Sequence, residues 1–477
     1  MAEATLEGGL AEVDRAASVE SRPCALNGRR ARQAAVATPP NTRQAGSLPF
    51  PGKPVGTPNE QMPFDHIVVV MMENHSFDNL LGDLGRTRTD VSALSFDGAG
   101  SPTNSNSTSS GTAVPSFALE NTEQKTAITQ SWKATREQMD GDAMDGFVKT
   151  AGDKNEPMGY YTAAVLPFAY SLASRFTIGD QWYSSVPGPT YPNRRFLLAG
   201  TANGLTVTDP TKMLDGPPPN GTIFDHLSSR HISWANYSTE LPATLVFPWS
   251  FFRHLDHHHG ISKFFHDCEA GSLPAVSFVD PALGKLRSIV ASLPSLVQDA
   301  LKLLGVDVEG LPRGETEEDP DDIFYGERWA HEVIEAVIKS PAWERTLLVY
   351  TYDEHGGYFD HASPPPAPRP DTIPPKLEPG ETGDYGRYGP RVPAVVVSPY
   401  SIPGGVTSVE HDHTSVLATI EAKWNLPALT DRDANAATVM DFLDLNRTPL
   451  LKPEPLDAPS ETGPSGPVNA ARLRWQS

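Results

Sequence analysis

The sequence predicts an α/β fold, a three-layer α/β/α sandwich around a mostly parallel sheet. Two observations carry this expectation. Short continuous apolar runs rich in β-branched residues read as strands covered on both faces, and stretches with helical apolar spacing lie between them. The first run, FDHIVVVMMEN from Phe64, ends in polar residues. TLLVYTYDEHGG from Thr346 repeats that design, and PAVSFVD from Pro274 and VPAVVVSPY from Val392 are two further strands of the buried kind. RWAHEVIEAVIKS sets Trp329, Val333, Ile334 and Val337 at helical spacing directly before the Thr346 strand. HTSVLATIEAKW from His413 reads as a second amphipathic helix with Thr414 or Ser415 as its cap. Sandwiches of this kind gather ligands at the strand carboxyl ends, which directs attention to Glu73 with Asn74 and to Asp353 with Glu354.

The chain of 477 residues divides into three parts by composition. Residues 1–62 are rich in Pro, Gly, Ser and Arg, hold few large apolar groups, and read as a flexible leader. Residues 63–445 form the folded domain, and 446–477 read as a polar tail. Two low-complexity stretches, GAGSPTNSNSTSSGTAVPS near residue 100 and the Pro-rich segment from Ser363 to Pro393, are expected to be surface loops. The second begins just past a polar strand end, so it is a candidate rim. SIVASLPSLVQDALKLLGVDVEG has helical apolar spacing and reads as a packed helix, with a lid or lipid-facing helix as the alternative.

Composition excludes one class of partner. A net charge of -21 and a pI near 5.0 argue against nucleic acid, whose binding draws on clustered Lys and Arg. Any phosphate bound by so acidic a chain needs a local cation or a helix N-terminus. Cys24 and Cys268 do not make a disulfide framework. The leader lacks the basic start and apolar stretch of a secretory signal, and no transmembrane run follows. Cytoplasmic residence is the expectation, with secretion left open.

Hard divalent cations are held by carboxylate and amide oxygens, and a polar strand end can supply two at once. Either pair alone is also an ordinary strand terminus. The motifs around them say more. MMENHSFDNLLG, VPGPTYPNRRFLLAGT, SPAWERTLLVYTYDEHGGYFDHASPP and HDHTSVLATIEAKW resemble, in order, the signatures of the phosphoesterase family of bacterial and plant non-specific phospholipases C and certain acid phosphatases. The similarity runs from about Pro63 to Leu426.

That resemblance implies an alkaline phosphatase-like fold and a divalent metal (Ca, Mg, Mn or Zn) on Glu73, Asn74, Asp353 and Glu354. It implies a nucleophile at Thr190, catalytic histidines at His361, His413 and, by looser similarity, His257, and substrate contacts at Asn193 and Gln130. The expected activity is metal-dependent hydrolysis of phosphoric esters through a phosphothreonine. The expected substrates are phospholipids such as phosphatidylcholine, with small soluble phosphate esters, or a non-catalytic scaffold, as alternatives. Transient contact with a membrane surface is compatible with the first. Physical reasoning supports Thr190, because RRFLLAG reads as a helix and a hydroxyl at its start meets free N–H groups and the positive dipole end. A purely capping Thr190 would be the commoner role of such a residue.

Several positions depart from the family. Gln130 stands in a Gln-Ser-Trp where His-Ser-Trp is usual, and Asp319 precedes Pro320 where histidine is common. Asn79 replaces a common His, and His75 a common Arg. An amide can hydrogen-bond phosphate but cannot carry its proton at neutral pH. His254, His257 and His258 have the i, i+3, i+4 spacing of a helical metal face, although a solvated face is the plainer reading. His75 and His355 are expected to support structure.

Overall fold

The computed structural model describes residues 42–84, 104–214, 216–282, 317–320 and 322–460. The stretch SIVASLPSLVQDALKLLGVDVEG and Cys24 lie outside the described residues. An eight-stranded sheet forms the centre. Its strands are β1 (His66–Met72), β2 (Thr177–Gly179), β3 (Trp234–Ser238), β4 (His258–Gly260), β5 (Val276–Asp280), β6 (Thr346–Tyr352), β7 (Ala394–Val397) and β8 (Val406–Thr407). Their spatial order is β8-β2-β7-β6-β1-β5-β3-β4. All pairings are parallel except those of β7, which runs against both β6 and β2.

Every residue of β5, β6 and β7 is buried, as is all of β1 after His66. Alternate side chains of a strand point to opposite faces, so unbroken burial means that both faces are covered. The cover comes from helices in two groups, which follow α1 (Trp132–Met139) and α2 (Pro167–Arg175) in the chain. Helices α4 (Ile261–Ala270) and α5 (Ile323–Lys339) pack together on one side. Helices α3 (Thr190–Ala199) and α6 (Thr414–Trp424) pack together on the other. The α/β/α sandwich read from the sequence is the observed architecture. Among the described residues no helix is long and apolar enough to cross a membrane.

Details differ from expectation for identifiable reasons. Helix α5 starts five residues before Arg328, because the Asp322 side chain caps it by accepting from Phe324 N. Helix α6 is capped by neither Thr414 nor Ser415. The carboxylate of Asp412 receives the Thr414 amide and hydroxyl instead. Residues 105–115 of the Ser-rich stretch close into a small antiparallel hairpin.

The leader assignment also changes for residues 43–62. Asn425 spends its amide on the carbonyls of Phe50, Lys53 and Pro54, the Gly46 amide donates to Ala428 O, and Met62 is buried. At the other end, Trp343 donates to Leu450 O and Leu456 is buried beneath a contact with Glu335. Both segments belong to the packed unit, and only their sparse apolar content made them read as tails.

Candidate active site

Strands β1 and β6 are neighbours in parallel register, with Met72 beside Tyr352. The next residues of each, Glu73 with Asn74 and Asp353 with Glu354, therefore emerge together at the carboxyl edge. All four are buried. The turn after Glu354 needs glycine at 356, where φ is +66° and an added Cβ would lie 2.0 Å from the Asn74 carbonyl oxygen. This close approach ties the ends of the two strands together. Gly356→Ala should lower unfolding free energy by about 3 kcal/mol, combining left-handed strain with overpacking. Urea unfolding checks this, and an unchanged midpoint would show that the contact relaxes freely.

The donor set fits a divalent cation. Asn74 sits against both carboxylates, and with its amide nitrogen turned toward them it donates to Asp353 Oδ1 at 2.7 Å and to Glu354 Oε1 at 3.2 Å. The opposite rotamer would add its amide oxygen to the carboxylates as a further oxygen donor. Arg194 of α3 closes the other side, donating through Nε to Asp353 Oδ2 at 3.0 Å and through Nη2 to Glu73 Oε1 at 3.4 Å. One guanidinium faces the carboxylates of Glu73, Asp353 and Glu354, with Glu318 close by, so their ionised forms carry a surplus of negative charge that a divalent cation would offset. Burial pushes Asp353 up to about 6, and burial together with the Asp353 charge raises Glu354 well above the ordinary range. All-oxygen ligation suits Ca²⁺, Mg²⁺ or Mn²⁺ chemistry.

Thr190 is the first residue of α3, and Pro189 occupies the cap position without a side-chain cap bond. The capping role is therefore not its own. It opens on a cavity of about 380 Å³ whose walls also include Glu73, Gln130, Tyr191, Glu318 and Glu381. Glu381 comes from the Pro-rich segment, which does form rim. The next arginine along α3 turns away from the carboxylates. Arg195 donates to the carbonyls of Val246, Ala202 and Met213 and fixes the loops around α3.

The remaining expected residues are placed less simply. Asn193 does not line the cavity. Its buried amide accepts from Val186 N and donates to the carbonyls of Val186, Gly188 and Pro189, which shapes the loop that leads into Thr190. Gln130 lines the cavity, and Asp319 accepts from Ile128 N two residues earlier, so the two altered family positions are neighbours.

None of the three histidines lines the cavity. His257 stacks on Trp234 at 4.1 Å and donates through Nδ1 to the Trp234 carbonyl. Trp234 opens β3, so His257 sits at the amino edge of the sheet, opposite the ligands. The helical spacing that suggested a histidine face does not exist, since a helix ends at Arg253, a tight turn covers Leu255–His257, and β4 follows. His413 lies behind Asp353, donating through Nε2 to its carbonyl at 2.7 Å, and burial pushes it down to about 4.

His361 bonds to Asp78 Oδ2 at 2.6 Å through Nδ1. Burial works to lower its pKa, but the Asp78 carboxylate outweighs burial and raises it. Asp78, Asp360 and His361 approach closely enough to hold an ion. Arg391 already serves them, with Nη2 3.1 Å from Asp78 Oδ1 and Nε 2.9 Å from Asp360 Oδ1. Arg391 thus already offsets part of the charge of Asp78 and Asp360, and a protonated His361 would offset the rest. His75 and His355 are interior groups, bonded to Asn79 and Gln138.

Sequence reasoning missed Arg194 and Glu318. The signal for Arg194 was its position four residues after Thr190, which puts it on the same face of α3. Glu318, buried and close enough to raise Asp353 and Glu354, had only its adjacency to Asp319 to mark it.

A phosphoesterase family model matches residues 64–427, a span that covers Glu73, Asn74, Asp353, Glu354, Thr190 and Arg194. Among curated relatives, non-specific phospholipase C6 of Arabidopsis thaliana is 32% identical over 432 residues, covering 83% of this chain and 75% of the relative. Non-hemolytic phospholipase C of Burkholderia pseudomallei is 28% identical over 414 residues, covering 81% and 58%. A solved structure of a protein in the alkaline phosphatase superfamily from Vibrio parahaemolyticus overlaps 77% of this chain and 78% of that one at 12% identity and a TM-score of 0.32. With strand-end carboxylates, a helix-start hydroxyl and a matching model across most of its length, the chain belongs to the phosphoesterase family and is a phosphoric ester hydrolase.

Proposed function

We propose that the protein is a metal-dependent phospholipase C in which Thr190 attacks the phosphorus of a phospholipid such as phosphatidylcholine. The observation that carries this reading is the uncapped hydroxyl at the first position of α3, on a cavity wall shared with the ligand Glu73. The substrate class rests on the plant and bacterial relatives named phospholipase C.

In the first step Thr190 Oγ bonds to phosphorus and gives up its proton. The bond from phosphorus to the diacylglycerol oxygen breaks, and that oxygen takes up a proton. Water then displaces Thr190 from phosphorus and releases the phosphorylated head group. A divalent cation on Glu73, Asn74, Asp353 and Glu354 supplies charge neutralisation and lowers the hydroxyl pKa. The start of α3 adds its positive dipole end at the attacking oxygen. Gln130 can donate a hydrogen bond to a phosphoryl oxygen.

With no histidine on the cavity wall, proton transfer falls to carboxyl groups, of which Glu318 is the more enclosed of the two not assigned to the cation. Glu318→Gln should lower kcat by about 10²-fold, while His257→Ala leaves it unchanged. Steady-state kinetics on phosphatidylcholine decide between them, and the reverse pattern would return the acid–base role to histidine. The function itself is tested by supplying purified protein with Ca²⁺, Mg²⁺, Mn²⁺ or Zn²⁺ and dispersed short-chain phosphatidylcholine. Diacylglycerol and phosphocholine are the expected products. Turnover of small monoesters alone would identify a phosphatase, and metal binding without any product would identify a scaffold.

A further inference from the structure

The six carbonyls that lead up to Thr190 all have donors. Gly389 N donates to Ser184 O and Arg432 Nη1 to Ser185 O, each at 2.9 Å. Asn193 Nδ2 serves the carbonyls of Val186, Gly188 and Pro189, and Arg136 Nη1 of α1 serves that of Pro187. None of these four donor residues lines the cavity. The negative ends of successive peptide dipoles are thus bonded within the protein, which spares a phosphoryl group at Thr190 their repulsion. Asn193 divides two N–H bonds among three carbonyls, so the loop depends on Arg136 for a firm hold of its own.

Arg136 is itself closely placed. Its guanidinium lies 3.6 Å over the Trp132 ring, Nη1 also donates to Trp132 O at 3.0 Å, and Nη2 donates to Asp384 O at 3.2 Å. A Cβ added at Gly383 would collide with its Nε. A Cβ added at Gly188 would come 3.1 Å from Trp132 Cε3, so the indole bears on the same loop that Arg136 holds. Burial pushes the guanidinium down to about 10 against the favourable charges of Glu381 and Asp384, and it stays a cation at neutral pH. A planar fork can stack on an indole while donating in two directions, which an ammonium cannot do. The rim end of this bridge has other support, from Trp132 Nε1 to Thr382 O at 2.8 Å and from Arg432 Nη2 to Tyr385 O. Releasing Arg136 therefore frees chiefly the Pro187 end.

We infer that Arg136 is a positioning residue for phosphoryl transfer: its forked guanidinium, seated on Trp132, holds the Pro187 carbonyl and thereby sets where the Thr190 hydroxyl stands. This rests on the reading of Thr190 as nucleophile and adds what aims it. The test uses the full chain with Arg136→Ala or Arg136→Lys. Steady-state kinetics on a soluble chromogenic phosphodiester are measured alone and with added guanidinium or ammonium, well below concentrations that unfold the wild type. Melting temperatures are taken with and without a divalent cation.

Arg136→Ala should lower kcat by about 10²-fold, the loss that a small displacement of a reacting atom causes, with KM changed by less than about threefold. The rise in melting temperature on adding cation should match that of the wild type, since Glu73, Asn74, Asp353 and Glu354 are untouched. Guanidinium, and not ammonium, should recover at least about tenfold of the lost kcat in the Ala variant. Arg136→Lys should stay well below the wild type, and it carries the test if the Ala variant does not fold. Wild-type kcat in either variant overturns the inference, as does a loss carried by KM alone or one that guanidinium does not recover. Equal recovery by ammonium assigns the effect to charge and overturns the fork. Failure of the Thr190 reading looks different: Thr190→Ala would then turn over the diester as fast as the wild type, whatever the Arg136 variants do.

Discussion

Thr190→Ala should lower turnover of every phosphate ester by at least about 10³-fold, because the bond-forming oxygen is removed while the cavity stays in place. Thr190→Ser, which keeps an oxygen at the start of α3, should retain measurable activity. Structural damage is excluded by the same samples. Neither change touches Glu73, Asn74, Asp353 or Glu354, so the rise in melting temperature on adding a divalent cation should match that of the wild-type chain. Acid quenching during turnover of a head-group-labelled substrate should trap label on threonine in the wild type and on serine in the Ser variant. Undiminished turnover by the Ala variant would remove Thr190 from the mechanism.

Glu354→Gln should separate stability from function. Without metal, burial and the neighbouring Asp353 both oppose a charge on Glu354, so a neutral amide of the same shape relieves repulsion. The metal-free variant should melt no lower than the wild type. Its metal response should vanish, along with about 2.7 kcal/mol that a cation at a hundredfold its dissociation constant would contribute. The pH dependence has a definite sign. Asp353 rises from 3.8 to about 6 on folding, so the metal-free fold holds that proton more tightly than the unfolded chain and loses stability as pH climbs through this interval. A cation competes with the proton, so the metal-induced melting shift should grow over the same interval and persist above it. Differential scanning calorimetry at several pH values checks both statements. A shift that shrinks with rising pH would place the cation elsewhere.

The long central strands were legible because burial on both faces leaves an unmistakable run, as in Val68 to Met72 and Leu347 to Tyr352. β2, β4 and β8 have three residues or fewer and carry no periodicity to read. Motifs drew attention to Glu73, Asn74, Asp353, Glu354 and Thr190, which lie at strand ends or a helix start, and the structure brings the four polar strand-end residues together at one edge of the sheet. The histidines were not. His257 was assigned by loose similarity and a spacing that matters only on a helix, whereas the backbone there turns and becomes strand. Asn193 carries the polar amide expected of a substrate contact, yet the loop before Thr190 offers carbonyls and an amide that occupy it. Glu318 is brought to the site by tertiary packing from a distant part of the sequence, and such convergence has no local signature.

The reversal of β7 has a consequence for how the rim can vary. Because β7 runs against β6, Ala394 lies beside Thr351, and the chain leaves β6 and re-enters the sheet at one and the same edge. The Pro-rich connection is thus a closed loop, pinned near its end by Arg391 to Asp78 and Asp360. Its interior supplies Glu381 to the cavity. Its interior is anchored as well, by Lys376 N on Gly204 O and Tyr385 Oη on Leu205 O, and between these anchors residues can be inserted, deleted or exchanged without altering the pairing of any strand, at a closure cost that grows only as the logarithm of loop length. The sheet and the start of α3 hold Glu73, Asp353 and Thr190, and this one loop can change the wall around them without disturbing either.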